Sequence, residues 1–175
     1  MKKTISSLIV CPIIFALVLS ALAGCDTPRS LDSSEYQKDG FVMQLPTGWE
    51  VVQDYYISPK RRDINILTSV SSTVSIKVFD KRGADQTLKQ YVEEYLNVAL
   101  LEDLKNDAKV EYGDVTRAQG NGYFVEVLDT QEDYYIEIIE MKYENHLSFV
   151  TLHTPMKSKE SVLNEFNFLI ENINE

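Results

Sequence analysis

The chain predicts an α+β domain in which helices cover a mainly antiparallel sheet. Three observations carry this. Short segments with apolar residues at every second position recur before residue 80 and again after residue 109. Between them the period lengthens to that of a helix, and a second helical stripe closes the chain. The later strands are joined by polar connections of hairpin length, which imply an antiparallel meander.

The domain is expected to open at Phe41. Phe41, Met43 and Leu45 alternate with Val42 and Gln44, and Pro46-Thr47-Gly48-Trp49 then predicts a tight turn, because proline fixes one dihedral and glycine tolerates positive φ. Trp49 to Ile57 reads as a second strand ended by Ser58-Pro59. Ile64 to Thr68 is a weaker strand and Thr73 to Phe79 a firmer one, with Val74, Ile76 and Val78 on one face. Leu88, Tyr91, Val92, Tyr95, Leu96 and Ala99 fall at helical spacing, and Thr87 with Gln90 forms a capping-box pattern, predicting a helix over Thr87 to Asn106. Four strands follow at Lys109 to Thr116, Gly122 to Asp129, Tyr134 to Tyr143 and Leu147 to His153. Ser158 is positioned to cap a last helix striped by Val162, Leu163, Phe166, Leu169, Ile170 and Ile173.

The N-terminus reads as a targeting segment over residues 1–24. Lys2 and Lys3 precede a mostly apolar run from Leu8 to Ala23, which is shorter than the roughly 20 residues of a membrane span. It closes on Ala21-Leu22-Ala23-Gly24-Cys25, the pattern of a bacterial lipobox. A thiol accepts diacylglycerol, and the small residues let a peptidase reach the bond before it. Cys25 is therefore the expected lipidation site, with palmitate among the acyl chains. Residues 25–40, with Asp26 first and Thr27-Pro28-Arg29-Ser30 next, read as the lipidated cysteine and a flexible tether. Residues 41–175 then form one domain. The expected location is the extracytoplasmic side of the cell membrane, and in a two-membrane organism Asp26 resembles the signal for retention in the inner membrane, facing the periplasm.

Charge and cysteine content exclude several function classes. The chain carries a formal charge of -10; loss of Lys2 and Lys3 takes it to about -12. No basic cluster exceeds Lys60-Arg61-Arg62, so nucleic-acid binding is not expected. Covalent lipid rather than charge must hold such a protein at a membrane. Cys11 leaves with the leader and Cys25 carries lipid, leaving no thiol for a disulfide, nucleophile or metal site.

The remaining chemistry points to binding rather than catalysis. His146 and His153 lie seven apart on different local structures, with Glu144 the only nearby third ligand, so neither metal nor cofactor is expected. The carboxylate pairs Glu93-Glu94, Glu102-Asp103, Glu132-Asp133 and Glu137 with Glu140 all read as solvated, whereas acid/base work needs two carboxylates in unlike environments. Neither a nucleophile elbow nor a phosphate loop occurs, and an enzyme is not expected. Tyrosine is in excess. In the adjacent strand pairs Tyr55-Tyr56 and Tyr134-Tyr135, one ring should face inward and the other outward. These four form the candidate binding surface, alongside the simpler reading of amphipathic packing.

The opening strand Phe41-Val42-Met43-Gln44-Leu45 followed by Pro46-Thr47-Gly48-Trp49, the long middle helix, the meander and the closing helix together resemble the PsbP-like superfamily, over about Gly40 to Asn174. A lipobox ahead of such a domain looks most like the DcrB-like bacterial lipoproteins. The resemblance implies an α/β/α sandwich and a non-enzymatic accessory role, and it carries over no catalytic residues. The expected function is that of a membrane-anchored envelope lipoprotein, a monomeric domain that binds an envelope protein. Two alternatives stand beside it: a small-ligand or solute-binding lipoprotein, and an immunity lipoprotein whose acidic surface blocks a toxin.

Overall fold

The computed structural model describes residues 33–80, 86–99, 109–128 and 132–174. The elements run β1 (Ser33–Lys38), β2 (Phe41–Pro46), β3 (Glu50–Ser58), β4 (Arg61–Leu67), β5 (Thr73–Asp80), α1 (Leu88–Ala99), β6 (Lys109–Arg117), β7 (Gly120–Leu128), β8 (Tyr134–Lys142), β9 (His146–Pro155), a 3-10 turn (Met156–Ser158), α2 (Lys159–Glu171) and β10 (Ile173–Asn174). Seven strands form one antiparallel sheet in the order β3-β4-β5-β9-β8-β7-β6, and β1-β2-β10 form a second, smaller sheet.

The large sheet consists of two meanders joined where β5 pairs with β9, from Thr73 opposite His153 to Asp80 opposite His146. Because side chains alternate across a strand, the central strands feed two cores. Ile64, Ile66, Val74, Ile76, Ile139, Met141, Val150 and Leu152 face α2 and the small sheet, which contribute Phe166, Leu169, Ile170, Met43 and Leu45. Val125, Val127, Ile136, Ile138, Leu147 and Phe149 face the other way, against Tyr91 and Val92 of α1. The Tyr91 ring stacks on Phe149 with centroids 4.2 Å apart. The molecule is thus an α+β sandwich, with the large sheet between α1 on one side and α2 with the small sheet on the other.

Local signals are realised where the sequence places them. The Thr87 backbone N–H donates to Gln90 Oε1 at 2.8 Å and the Gln90 N–H donates to Thr87 Oγ1 at 3.3 Å, a complete capping box. Trp49 N–H donates to Pro46 O at 3.0 Å across a turn with Gly48 at φ 81°. The Trp49 side chain is buried, and its Nε1 donates to Glu165 at 2.9 Å. Residues 100–106 of the expected middle helix and the Cys25 part of the N-terminal segment lie outside the described residues.

Two expectations are corrected. Part of the stretch expected to be a flexible tether, Ser33–Lys38, is strand β1, paired with β2 from Ser33↔Pro46 to Lys38↔Phe41. The cause is the Asp39-Gly40 turn: both residues have positive φ (53° and 83°), the geometry of a two-residue hairpin. Ser158 occupies the N-cap position of α2 but makes no side-chain cap bond. The preceding 3-10 turn already gives it helical φ and ψ, where a side-chain-bonding N-cap has extended backbone.

Phe166 is fully buried in the larger core. Phe166→Ala is expected to cost about 3–5 kcal/mol, read as a lower urea midpoint with an unchanged slope.

Candidate functional site

The site begins with an aspartate on an edge strand. Asp54 of β3 points toward the small sheet and its side chain is almost wholly buried. Arg62 of β4 grips it in two-toothed fashion, Nε to Oδ1 at 2.8 Å and Nη2 to Oδ2 at 2.7 Å. Tyr36 of β1 donates its hydroxyl to the same carboxylate, and Lys38 Nζ lies 3.3 Å away. Arg62 Nη1 also donates to the Lys38 carbonyl at 3.1 Å, and its guanidinium sits 5.5 Å from the Phe41 ring and 5.4 Å from the Tyr56 ring. One ion pair thereby ties β1, β2, β3 and β4 together.

This environment shifts the groups in it. The Arg62 hydrogen bonds hold the Asp54 carboxyl at about 2, below its ordinary 3.8, against the opposing effect of burial. Burial, reinforced by donation to Asp54, pushes the Tyr36 phenol up to about 12. Arg62 is raised in turn by its bonds to Asp54.

A cleft of about 230 Å³ opens beside this knot, at the end of the sheet where Asp39, Tyr56, Lys60, Arg61, Arg62 and His146 converge. Tyr56 donates its hydroxyl to Asp39 at 3.3 Å, which fixes one wall. Arg61 is engaged by Asp63, with bonds of 2.9 and 2.8 Å, and lies over Phe79. Two of the three residues in the one basic cluster are thus neutralised by neighbouring aspartates. What remains is an aromatic face with an ammonium and carboxylates around it, a chemistry suited to recognising a polar or aromatic group.

Of the four candidate tyrosines, two are exposed and two are not. Tyr55 is 47% exposed and Tyr56 53%. They point to opposite faces, as alternation requires, and β3 is an edge strand on which only Val51 and Asp54 are drawn in. Exposed Val52 and Ile57 continue the same strand. Tyr134 and Tyr135 must be withdrawn as a surface. Tyr135 is 4% exposed and donates its hydroxyl to Glu137, while Tyr134 is half-buried with its ring 5.1 Å from His153. Both are tucked in because β8 is covered on both faces.

The sequence reading also mistook Glu137. It is fully buried rather than solvated, held by Arg117 at 2.6 and 2.7 Å and by the Tyr135 hydroxyl at 2.6 Å. Burial and that donation raise the Tyr135 phenol well above its usual range. The signal available was an acid inside the apolar run Ile136-Glu137-Ile138-Ile139, which predicts a paired charge. Its partner lies 20 residues away on β6. Among the described residues, no three His, Cys, Asp or Glu side chains are placed to hold one metal ion.

An antiparallel sheet between one helix on one face and a helix with a small sheet on the other is the PsbP-like arrangement. Cyanobacterial PsbP (CyanoP) from Synechocystis sp. PCC 6803 superposes with a TM-score of 0.50 at 14% identity, covering 88% of this chain and 98% of that one. The Saccharomyces cerevisiae Ran-binding protein Mog1p gives a TM-score of 0.49 at 6% identity over 83% of this chain and 96% of its own. LpqN of Mycobacterium tuberculosis, described as involved in cell envelope biogenesis, gives 0.44 at 8% identity over 83% and 91%. No protein-family model and no curated protein matches the sequence. The likeness to CyanoP is one of fold alone.

The Asp54 shift has a pH consequence. With the folded carboxyl near 2 and the unfolded one near 3.8, its contribution is complete above pH 4 and is lost as the pH falls toward 2. The shift corresponds to about 2 kcal/mol. Thermal melts of wild type and Asp54→Asn from pH 7 to pH 2 are expected to converge at the acid end. A gap that stays constant over that range would overturn the assignment.

Proposed function

We propose that the protein is a membrane-anchored envelope lipoprotein with a non-catalytic accessory role, binding an envelope protein through its β3 end. The observation that carries the reading is the lipobox ending at Cys25, placed ahead of a PsbP-like domain. That combination is the basis for assigning it to the DcrB-like type. Lipid at Cys25 supplies the attachment that a chain of charge -10 cannot obtain from anionic head groups. Asp26 favours the inner membrane, facing the periplasm, where two membranes exist.

A protein partner fits the site better than a small molecule does. The cleft of about 230 Å³ falls below the roughly 300–1,000 Å³ usual for small-molecule pockets. The exposed Val52, Tyr55, Tyr56 and Ile57 instead line both faces of an edge strand. Rigid aromatic side chains of this kind dominate protein interfaces because little rotamer freedom is lost on binding.

Two measurements test the reading. Labelled palmitate is expected to enter wild type and not Cys25→Ala, and equal labelling would sink the anchor. Crosslinking in the native envelope is expected to recover a stoichiometric protein with wild type and much less with Tyr55→Ala, whose melting temperature should barely change because the side chain is exposed. Recovery of a small molecule would favour the solute-binding alternative, and recovery of a toxin the immunity alternative.

A further inference from the structure

We infer that the domain stands on the membrane by one end: the turns Pro46–Gly48 and Thr68–Ser72 face the lipid head groups, and the cleft around Lys60 faces away. The inference rests on acylation of Cys25 and goes beyond it by assigning an orientation and a lipid-facing surface.

Chain length sets the first constraint. Strand β1 begins at Ser33, so only residues 26–32 separate the folded body from Cys25. Seven residues reach at most about 25 Å when fully extended. Ser33 is therefore held close to the bilayer.

Strand direction sets the second. Ser33 pairs with Pro46, so it lies at the end bearing the Pro46–Gly48 turn. The Thr68–Ser72 turn is at the same end, since a Cβ on Gly48 would sit 3.3 Å from the Cβ of Ser69. From Ser33, β1 runs away toward Lys38 and Asp39, which meet Asp54 and Tyr56. A six-residue strand covers about 20 Å. The Pro59–Lys60 turn and the cleft thus occupy the opposite end.

Chemistry supplies an independent argument. The chain has 27 acidic residues, yet Pro46, Thr47, Gly48, Thr68, Ser69, Val70, Ser71 and Ser72 carry no charge. Glu35 is set back on β1, while Glu50 opens β3 opposite Leu67, and Glu132 and Asp133 precede β8 at the same end of the sheet. An anionic bilayer repels carboxylates, so these two uncharged, hydroxyl-bearing turns are the part of this end that can approach it most cheaply. Exposed Leu67 lies beside them at the end of β4. The competing arrangement lays Lys60-Arg61-Arg62 on the lipid. Arg61 and Arg62 are bound to Asp63 and Asp54, and Lys60 shares its cleft with Asp39 and Asp80, so among the described residues these three cations are matched by carboxylates.

Acylated Cys25 leaves the mature chain without a free thiol, so an added cysteine is a unique labelling position. Full-length acylated Ser69→Cys and Lys60→Cys, each carrying a fluorophore, are placed in phosphatidylethanolamine–phosphatidylglycerol vesicles with a nitroxide on the lipid head group. Flotation with the vesicles is measured first, and then quenching. The Ser69 label is expected to be quenched severalfold more than the Lys60 label. Equal or reversed quenching in protein that floats would overturn the orientation while leaving the anchor intact. Protein that does not float would overturn the anchor, and the orientation with it.

Discussion

The architecture depends on one constraint: β8 and β9 are apolar on both faces. Such strands cannot leave either side to water, so the sheet containing them must be covered twice. The chain meets this with elements far apart in sequence. The crossover from β5 to β6 lays α1 over Ile136, Ile138 and Phe149, while the C-terminal α2 returns over Ile139, Val150 and Leu152. One helix is too narrow for the second face, and the small sheet fills the remainder with Phe41, Met43 and Leu45. The edge strands β3 and β6 stay largely exposed. Surface available for recognition is therefore concentrated at the edges of the sheet.

Much of this was legible in the sequence, and the failures share a cause. Periodicity located the meander and both helices, because burial on one face writes itself into every second or every third and fourth residue. The capping box at Thr87 was legible because its two partners are three residues apart. Strand β1 was missed because Ser33 to Lys38 is polar, and composition outweighed the Asp39-Gly40 pair that announces a hairpin. Such a strand draws its stability from backbone pairing and from Tyr36 reaching Asp54, and neither leaves an apolar pattern. Glu137 and Tyr135 were misread for a related reason: their partners depend on which strands become neighbours. The Tyr55-Tyr56 pair was expected to turn one ring inward, yet both are exposed because β3 is an edge strand, and the cleft beside them required the register of β3 against β4.

The Asp54–Arg62 pair shows what a buried charge does for such a fold. Two charges taken out of water seldom add much net stability, but removing either partner leaves the other stranded, at a cost of about 3–5 kcal/mol. The pair therefore acts chiefly on geometry. It admits one placement of the small sheet over β3 and β4, the one in which Tyr36, Lys38 and Phe41 all reach the same two side chains. A backbone likeness at 14% identity transfers the layers and not such networks, which is why function here is argued from side chains.

Strand β1 has a further consequence, in mechanics. It is the first described element of the chain, so tension applied from the N-terminal side enters the described fold at Ser33 and runs along the strand. Antiparallel ladder bonds lie perpendicular to the strand axis. A force along that axis loads the six residue pairs from Ser33↔Pro46 to Lys38↔Phe41 together, in shear, instead of peeling them one at a time. The bond from Tyr36 to Asp54 pins the same strand midway along its length. A force applied between the N-terminal side and the far end of the domain is thus carried by a strand arranged to share the load.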